Sequence, residues 1–269
     1  MNNFLTRTLT AIIFAALSIA AIYFDGYIHV YFLFFTSVAL IEYFKMLGNK
    51  KRKSINQLYV LFGIISYVAL ALVQQSKISA SFIYLPILFF VIVNILELYL
   101  KDNHPFENIS VVLTSFLYVV LPFSLYTHLG YLQSSTYNFE IPLGLLFLIW
   151  ANDSGAYLFG ITLGKNRLFE RISPKKSWEG FFGGLIIAII TAYVMSIYFT
   201  SIERVHWLII SVIVVIIGTY GDLVESMLKR SKGIKDSGSF MPGHGGALDR
   251  FDALLLAAPM VYLYLHLFL

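Results

Sequence analysis

The sequence predicts an all-α, polytopic integral membrane protein of about nine transmembrane helices, with the amino terminus in the cytoplasm and the carboxyl terminus outside. Three observations carry that expectation. The 269 residues are 58% hydrophobic and 13% charged, with a mean hydropathy of +0.77, whereas a soluble globular chain carries roughly 25% charge. Apolar runs free of strong breakers fall at 6–24, 27–47, 57–75, 82–100, 109–129, 141–163, 180–200, 205–228 and 250–269, each long enough to satisfy its own backbone as a helix in lipid. When the runs alternate in direction, every Lys and Arg except Lys77 and Arg204 falls on one side, which the positive-inside bias makes the cytoplasm. At about 20 residues per crossing, nine spans use about 180 residues and leave about 90 for short loops. Soluble, disordered, coiled-coil and secreted disulfide-rich classes are excluded. With no cysteine in the chain, a metal must rest on oxygen or imidazole. The net charge of +4 reports topology before any nucleic-acid partner.

The first run, behind Arg7, reads as a retained helix, because Asp25-Gly26 is a poor cleavage site and a second span follows at once. No internal repeat appears, which argues against a transporter of two matching halves. Residues 1–140, with spans one to five, form the expected scaffold; residues 141–269, with spans six to nine and their loops, carry the expected chemistry. In the scaffold, Glu42 and Glu97 lie near the cytoplasmic ends of their spans, where snorkelling or pairing with Lys45 or Lys101 accounts for them. The run Lys50, Lys51, Arg52, Lys53 reads as topology and attraction to anionic lipid.

An ionisable group inside a span is costly in hydrocarbon and is a functional candidate for that reason. Asp153 interrupts the sixth span among small and polar neighbours, as a helix-packing patch or the wall of a polar cavity. Asp222, Glu225 and Lys229, spaced i, i+3, i+7, share one face at the end of the eighth span, and Glu225 with Lys229 is also an i, i+4 pair. The glycine-rich loop from Lys235 runs straight into the last span. Its glycines let backbone N–H groups approach an anion, and the helix start adds the positive end of its dipole. Asp249 and Asp252, three apart on the first turn, suit a hard divalent cation bridged to phosphate oxygens, with simple capping as the plain alternative. His244 sits between glycines and reads as a phosphate or leaving-group contact rather than a metal ligand. In Arg171–Gly180, Pro174 is expected near a helix start and Trp178 at the interface, and Lys175 and Lys176 beside a hydroxyl suit phosphate as well as topology. Gly160–Asn166 is one residue short of a P-loop and lacks its hydroxyl, while Gly180 and Gly184 space as a close helix contact. The residues alone reach metal-dependent phosphoryl or nucleotidyl transfer to a lipid, by direct in-line attack, since no side chain looks like an activated covalent nucleophile.

Ser226-Met-Leu-Lys229-Arg230, Lys235-Asp236, Gly243-His244-Gly245-Gly246 and Asp249-Arg250-Phe-Asp252 resemble the signature of the phosphatidate cytidylyltransferases, or CDP-diacylglycerol synthases. The segments 153–157, 173–180 and 221–226 resemble further parts of that family, and length and span number match over the whole chain. The resemblance implies that CTP and phosphatidate give CDP-diacylglycerol and pyrophosphate, with Mg2+ required and a second cation left open. It places the metal on Asp222, Asp249, Asp252 and Asp153. Catalytic work is expected of Asp222, Asp249, Lys229, Lys235, Asp236, Arg250 and His244. Substrate phosphate is expected on Ser173, Lys175, Lys176, Ser226, Arg230, Gly243, Gly245 and Gly246. Expected partners are CTP, phosphatidate and membrane lipids, without nucleic acid and with a homodimer left open. The expected location is a bacterial inner membrane, with the active site facing the cytoplasm. Two other readings stand beside it: a CTP-dependent polyprenol or phytol kinase, which moves the γ-phosphate, and an ion-coupled transporter binding cations at Asp153 and Asp222.

Overall fold

The computed structural model describes residues 3–134, 136–241 and 245–269, with side chains from residue 8 onward. The helices are α1 (Asn3–Tyr23), α2 (Tyr27–Leu47), α3 (Lys53–Gln74), α4 (Leu85–Tyr99), α5 (Pro105–Ser115), α6 (Leu121–His128), α7 (Glu140–Thr162), α8 (Trp178–Tyr198), α9 (Arg204–Ser231) and α10 (Leu248–Phe268). Among the described residues, eight helical stretches are long and apolar enough to cross a membrane, and Thr8–Tyr23 is a shorter apolar helix. Together they match the nine apolar runs, so the chain is an all-α polytopic membrane protein.

Prolines set several boundaries. Pro105 stands in the first turn of α5, where a missing N–H costs nothing. Pro122 enters α6 and cannot bond the carbonyl of Tyr118; the chain passes it through one wide π turn, Phe116–Val120. The span that began in the sequence at 109 therefore runs continuously from Pro105 to Tyr131.

One segment departs from the expected loop. Arg167–Phe169 (β1) and Ser173–Ser177 (β2) form an antiparallel hairpin, pairing Arg167 with Ser177 and Phe169 with Ser173. Pro174 consequently lies in a strand rather than at a helix start. Helix α8 begins at Trp178, capped by Ser177, whose Oγ accepts the Gly180 N–H at 3.1 Å.

The chain divides into two compact units: Met1–Thr136 with Asp236–Arg250, and Tyr137–Lys235 with Phe251–Leu269. In the first, Phe32 of α2 packs on Phe123 and Tyr126 of α6, with ring centroids 5.5 and 4.8 Å apart. Gly63 of α3 lets Leu40 come so near that a Cβ there would stand 2.7 Å from its side chain. In lipid such close packing, rather than expulsion of water, holds helices together. Several polar groups in this unit are tied internally. Arg52 donates to Glu97 at 3.1 Å, to the Leu100 carbonyl at 2.8 Å, and pairs with Asp102 at 3.0 Å. Tyr59 donates to the other oxygen of Glu97 at 2.7 Å. Glu97 thus pairs with Arg52 and not with Lys101, and one member of the basic run is a structural ion-pair residue; losing it would strand a carboxylate that is 2% exposed, at a cost of about 3–5 kcal/mol.

In the second unit α7, α8 and α9 pack through small residues. A Cβ at Gly183 would stand 2.3 Å from Phe159, and one at Gly155 would stand 3.0 Å from the Gly184 backbone. Gly184 is therefore a helix-contact residue, as its spacing with Gly180 predicts. Trp207 of α9, fully buried, packs so near Gly144 that a Cβ there would stand 2.4 Å from its ring, and it donates its indole N–H to the Phe199 carbonyl at 3.2 Å.

Candidate active site

Within the second unit, four elements bring charged groups together. Gly221 of α9 allows α10 to approach so closely that a Cβ would stand 2.5 Å from the Asp252 carbonyl. Asp222, the next residue, is set beside that crossing. Its Oδ2 pairs with Lys176 Nζ of β2 at 2.5 Å, and its Oδ1 accepts from Ser226 Oγ at 3.2 Å. The hairpin carries the lysine: on β2, Lys175 is exposed and Lys176 is half-buried. Asp252 accepts the Ala253 N–H on Oδ1 at 2.7 Å and interacts electrostatically with Asp222, with Asp153 of α7 and with Lys176. Three carboxylates and one ammonium leave this cluster with a negative excess.

That donor set fits a hard divalent cation, which takes oxygen ligands. Magnesium in particular is held by one or two carboxylates, with phosphate oxygens and water completing its shell. Among the described residues no group of three acidic or imidazole side chains is placed to hold an ion, so the fit is to a cation on one or two carboxylates that arrives with a phosphate ligand.

The two acids at the start of α10 have different partners. Asp249 Oδ2 accepts from Gly246 N at 2.7 Å, Ser237 N at 2.9 Å and Ser237 Oγ at 3.0 Å, all within the first unit. It closes the glycine loop on itself. Gly245, at φ +85°, packs against the same carboxylate, and a Cβ there would stand 2.5 Å from Oδ2. The Ala247 and Leu248 N–H groups go to Glu42 of α2, at 3.0 and 3.1 Å. Of the glycine N–H groups expected to cradle phosphate, that of Gly246 is thus engaged by a carboxylate of the chain itself, as are the next two N–H groups at the helix start. Glu42 does not pair with Lys45 in the way its position near the end of a span suggested.

The remaining predicted residues are distributed as follows. Lys229 forms an ion pair with Glu225 one turn before it, and both are buried. Arg230 donates to the Ile234 carbonyl at 2.9 Å and closes the end of α9, where Gly233 at φ +68° supplies the left-handed turn. Lys235, Asp236 and Arg250 are exposed, and Ser173 is half-buried on β2. Gly243 and His244 lie outside the described residues.

The cytidylyltransferase family model matches residues 5–268. The chain belongs to that family. A phosphatidate cytidylyltransferase of Staphylococcus epidermidis is 32% identical over 267 residues, covering 96% of this chain and 98% of that one. One of Staphylococcus aureus is 32% identical over 275 residues with the same coverage. One of Bacillus subtilis is 37% identical over 169 residues, 62% of each chain. For a cytidylyltransferase the reacting centre is a phosphorus atom carrying several negative oxygens, so catalysis is mostly positioning and charge neutralisation. The acidic cluster with Lys176 presents carboxylate oxygens and a fixed positive charge side by side. Glu42, which sequence reasoning set aside, has a direct hold on the signature loop; nothing in the sequence links position 42 to positions 237, 247 and 248.

Proposed function

We propose that the chain transfers the cytidylyl group of CTP to phosphatidate, giving CDP-diacylglycerol and pyrophosphate. The observation that carries this reading is the meeting of Asp153, Asp222 and Asp252 with Lys176 in a chain similar over almost its full length to proteins of that name. A phosphatidate oxygen forms the new bond to the α-phosphorus of CTP, and the bond from that phosphorus to the β-bridging oxygen breaks.

Asp222 and Asp252 are the residues that would hold magnesium, with Asp153 within electrostatic range of Asp252; magnesium when bound would supply charge neutralisation at the triphosphate and a template for in-line displacement. Lys176, held by Asp222, presents its ammonium beside the same face. Lys175 and Lys235, both exposed, bind phosphate oxygens by charge, and Ser173 adds a hydroxyl. Lys229, tied to Glu225, fixes the last turns of α9. Asp249, with Ser237, Gly245 and Gly246, shapes the loop from which Arg250 emerges. The site faces the cytoplasm of a bacterial inner membrane in this reading, because 17 of the 19 basic residues fall on that side of the alternating spans.

Purified protein given phosphatidate, magnesium and CTP labelled at the α-phosphorus should place label in extracted lipid, while γ-label should leave in pyrophosphate. Lipid carrying γ-label would identify a kinase instead, and ion-dependent flux without CTP consumption would identify a transporter.

A further inference from the structure

Glu42 sits on α2, in the half of the chain that reads as scaffold, and is 5% exposed. A carboxylate that deep persists only with full hydrogen bonding. Its Oε1 accepts the Ala247 N–H at 3.0 Å; its Oε2 accepts the Leu248 N–H at 3.1 Å and the Ser237 hydroxyl at 3.1 Å. Two of those donors are backbone groups at the start of α10, where an anion also meets the positive end of the helix dipole. Gly238 and Gly246 flank the carboxylate so tightly that a Cβ on either would come within 2.5 Å of its oxygens. The same loop touches α2 a second time, where Phe240 packs edge-on against Phe34 and Phe35 with centroids 5.5 and 5.9 Å away. Ser237 Oγ lies 3.1 Å from Glu42 and 3.0 Å from Asp249, so one hydroxyl joins the clamp to the acid that closes the glycine loop.

We infer that Glu42 is a positioning residue for cytidylyl transfer: it fixes Ser237 and residues 246–248, and with them the first turn of α10 that carries Asp249 and leads to Asp252, without touching substrate. This rests on the proposed reaction. Glutamine at this position keeps the volume of the side chain but turns one acceptor into a donor facing N–H groups, so the loop loses its anchor while α2 keeps its packing.

Because the chain has no cysteine, Ser239→Cys gives a single spin-label site on an exposed part of the loop. In Glu42→Gln, labelled at 239, the label should become more mobile, and kcat should fall about 10- to 100-fold, the scale on which a displacement of about 1 Å acts. KM for CTP and phosphatidate should stay within about twofold, since uniform binding is untouched. An unchanged kcat, with or without a lower melting temperature, overturns the inference, as does a label that stays immobile. If Glu42→Gln does not fold, Ser237→Ala cuts the same clamp from the loop side, and folded protein with wild-type kcat overturns it equally. Wild-type protein that forms no labelled lipid from α-labelled CTP would refute the reaction itself, whereas the label mobility still tests the clamp.

Discussion

Substituting Asp252 by asparagine should stabilise the protein and impair its reaction at the same time. Asp252 lies within electrostatic range of two carboxylates, Asp222 and Asp153, and one ammonium, Lys176, so without a bound cation its charge meets one more repulsion than attraction. Taking about 6 Å as the reach of such interactions and an effective dielectric constant of about 20, one uncompensated pair amounts to about 3 kcal/mol at most. Asparagine removes that repulsion and can still accept the Ala253 N–H. At about 2–4 °C per kcal/mol for a chain approaching this size, the melting temperature in EDTA should rise by a few degrees. Magnesium with CTP should then stabilise the variant much less than the wild type, because binding to the folded state is what raises it. Intrinsic fluorescence of the three tryptophans during heating in detergent, with EDTA and with magnesium and CTP, measures both arms. A variant that is less stable in EDTA and keeps the full shift on adding magnesium and CTP would refute the electrostatic reasoning.

Other perturbations have equally definite signs. Lys176→Met removes the counter-charge 2.5 Å from Asp222, so the melting temperature in EDTA should fall, magnesium should recover more of it than in wild type, and turnover should drop; an unchanged EDTA melt would contradict the pairing. Gly221→Ala places a Cβ 2.5 Å from the Asp252 carbonyl, forcing α9 and α10 apart at an overpacking cost of about 1–3 kcal/mol; wild-type turnover in that variant would show that the crossing does not set the site. The Asn108 amide and the His104 N–H, aided by Arg52, hold the Asp102 carboxyl below its ordinary pKa. The stability this contributes is present above the unfolded-state value of about 4 and is lost as pH falls through the lower folded value. Asp102→Asn should therefore flatten the acid limb of a stability-against-pH curve, and an identical limb in both proteins would refute it.

Periodicity and length made the helices legible, because a span in lipid must close its own hydrogen bonds and needs about 20 apolar residues to do so. The hairpin was hidden: β1 and β2 together are eight residues, too short for a period, and the basic charges in and around them already had an explanation in topology. Spacing along one helix correctly grouped Glu225 with Lys229, but it also put Asp222 with them, and Asp222 pairs instead with Lys176 and Ser226. It could not separate the duties of Asp249 and Asp252, since an i, i+3 relation says only that two side chains lie near one face. Partner choice was decided by Ser237 and the glycine loop for one, and by the close approach at Gly221 for the other. Glu42 and Glu97 were set aside because the nearest lysine in sequence seemed a sufficient partner. Their actual partners lie about 195–206 positions away for Glu42 and 45 for Arg52 with Glu97.

The central claim is that Asp222 and Asp252 hold a divalent cation against the triphosphate of CTP. Electron paramagnetic resonance of Mn2+ added to purified protein tests it without reference to turnover. The account predicts a bound ion whose coupling to phosphorus appears only with CTP, and whose binding is strongly weakened in both Asp222→Asn and Asp252→Asn. Undiminished Mn2+ binding in both variants, with the phosphorus coupling intact, would contradict it.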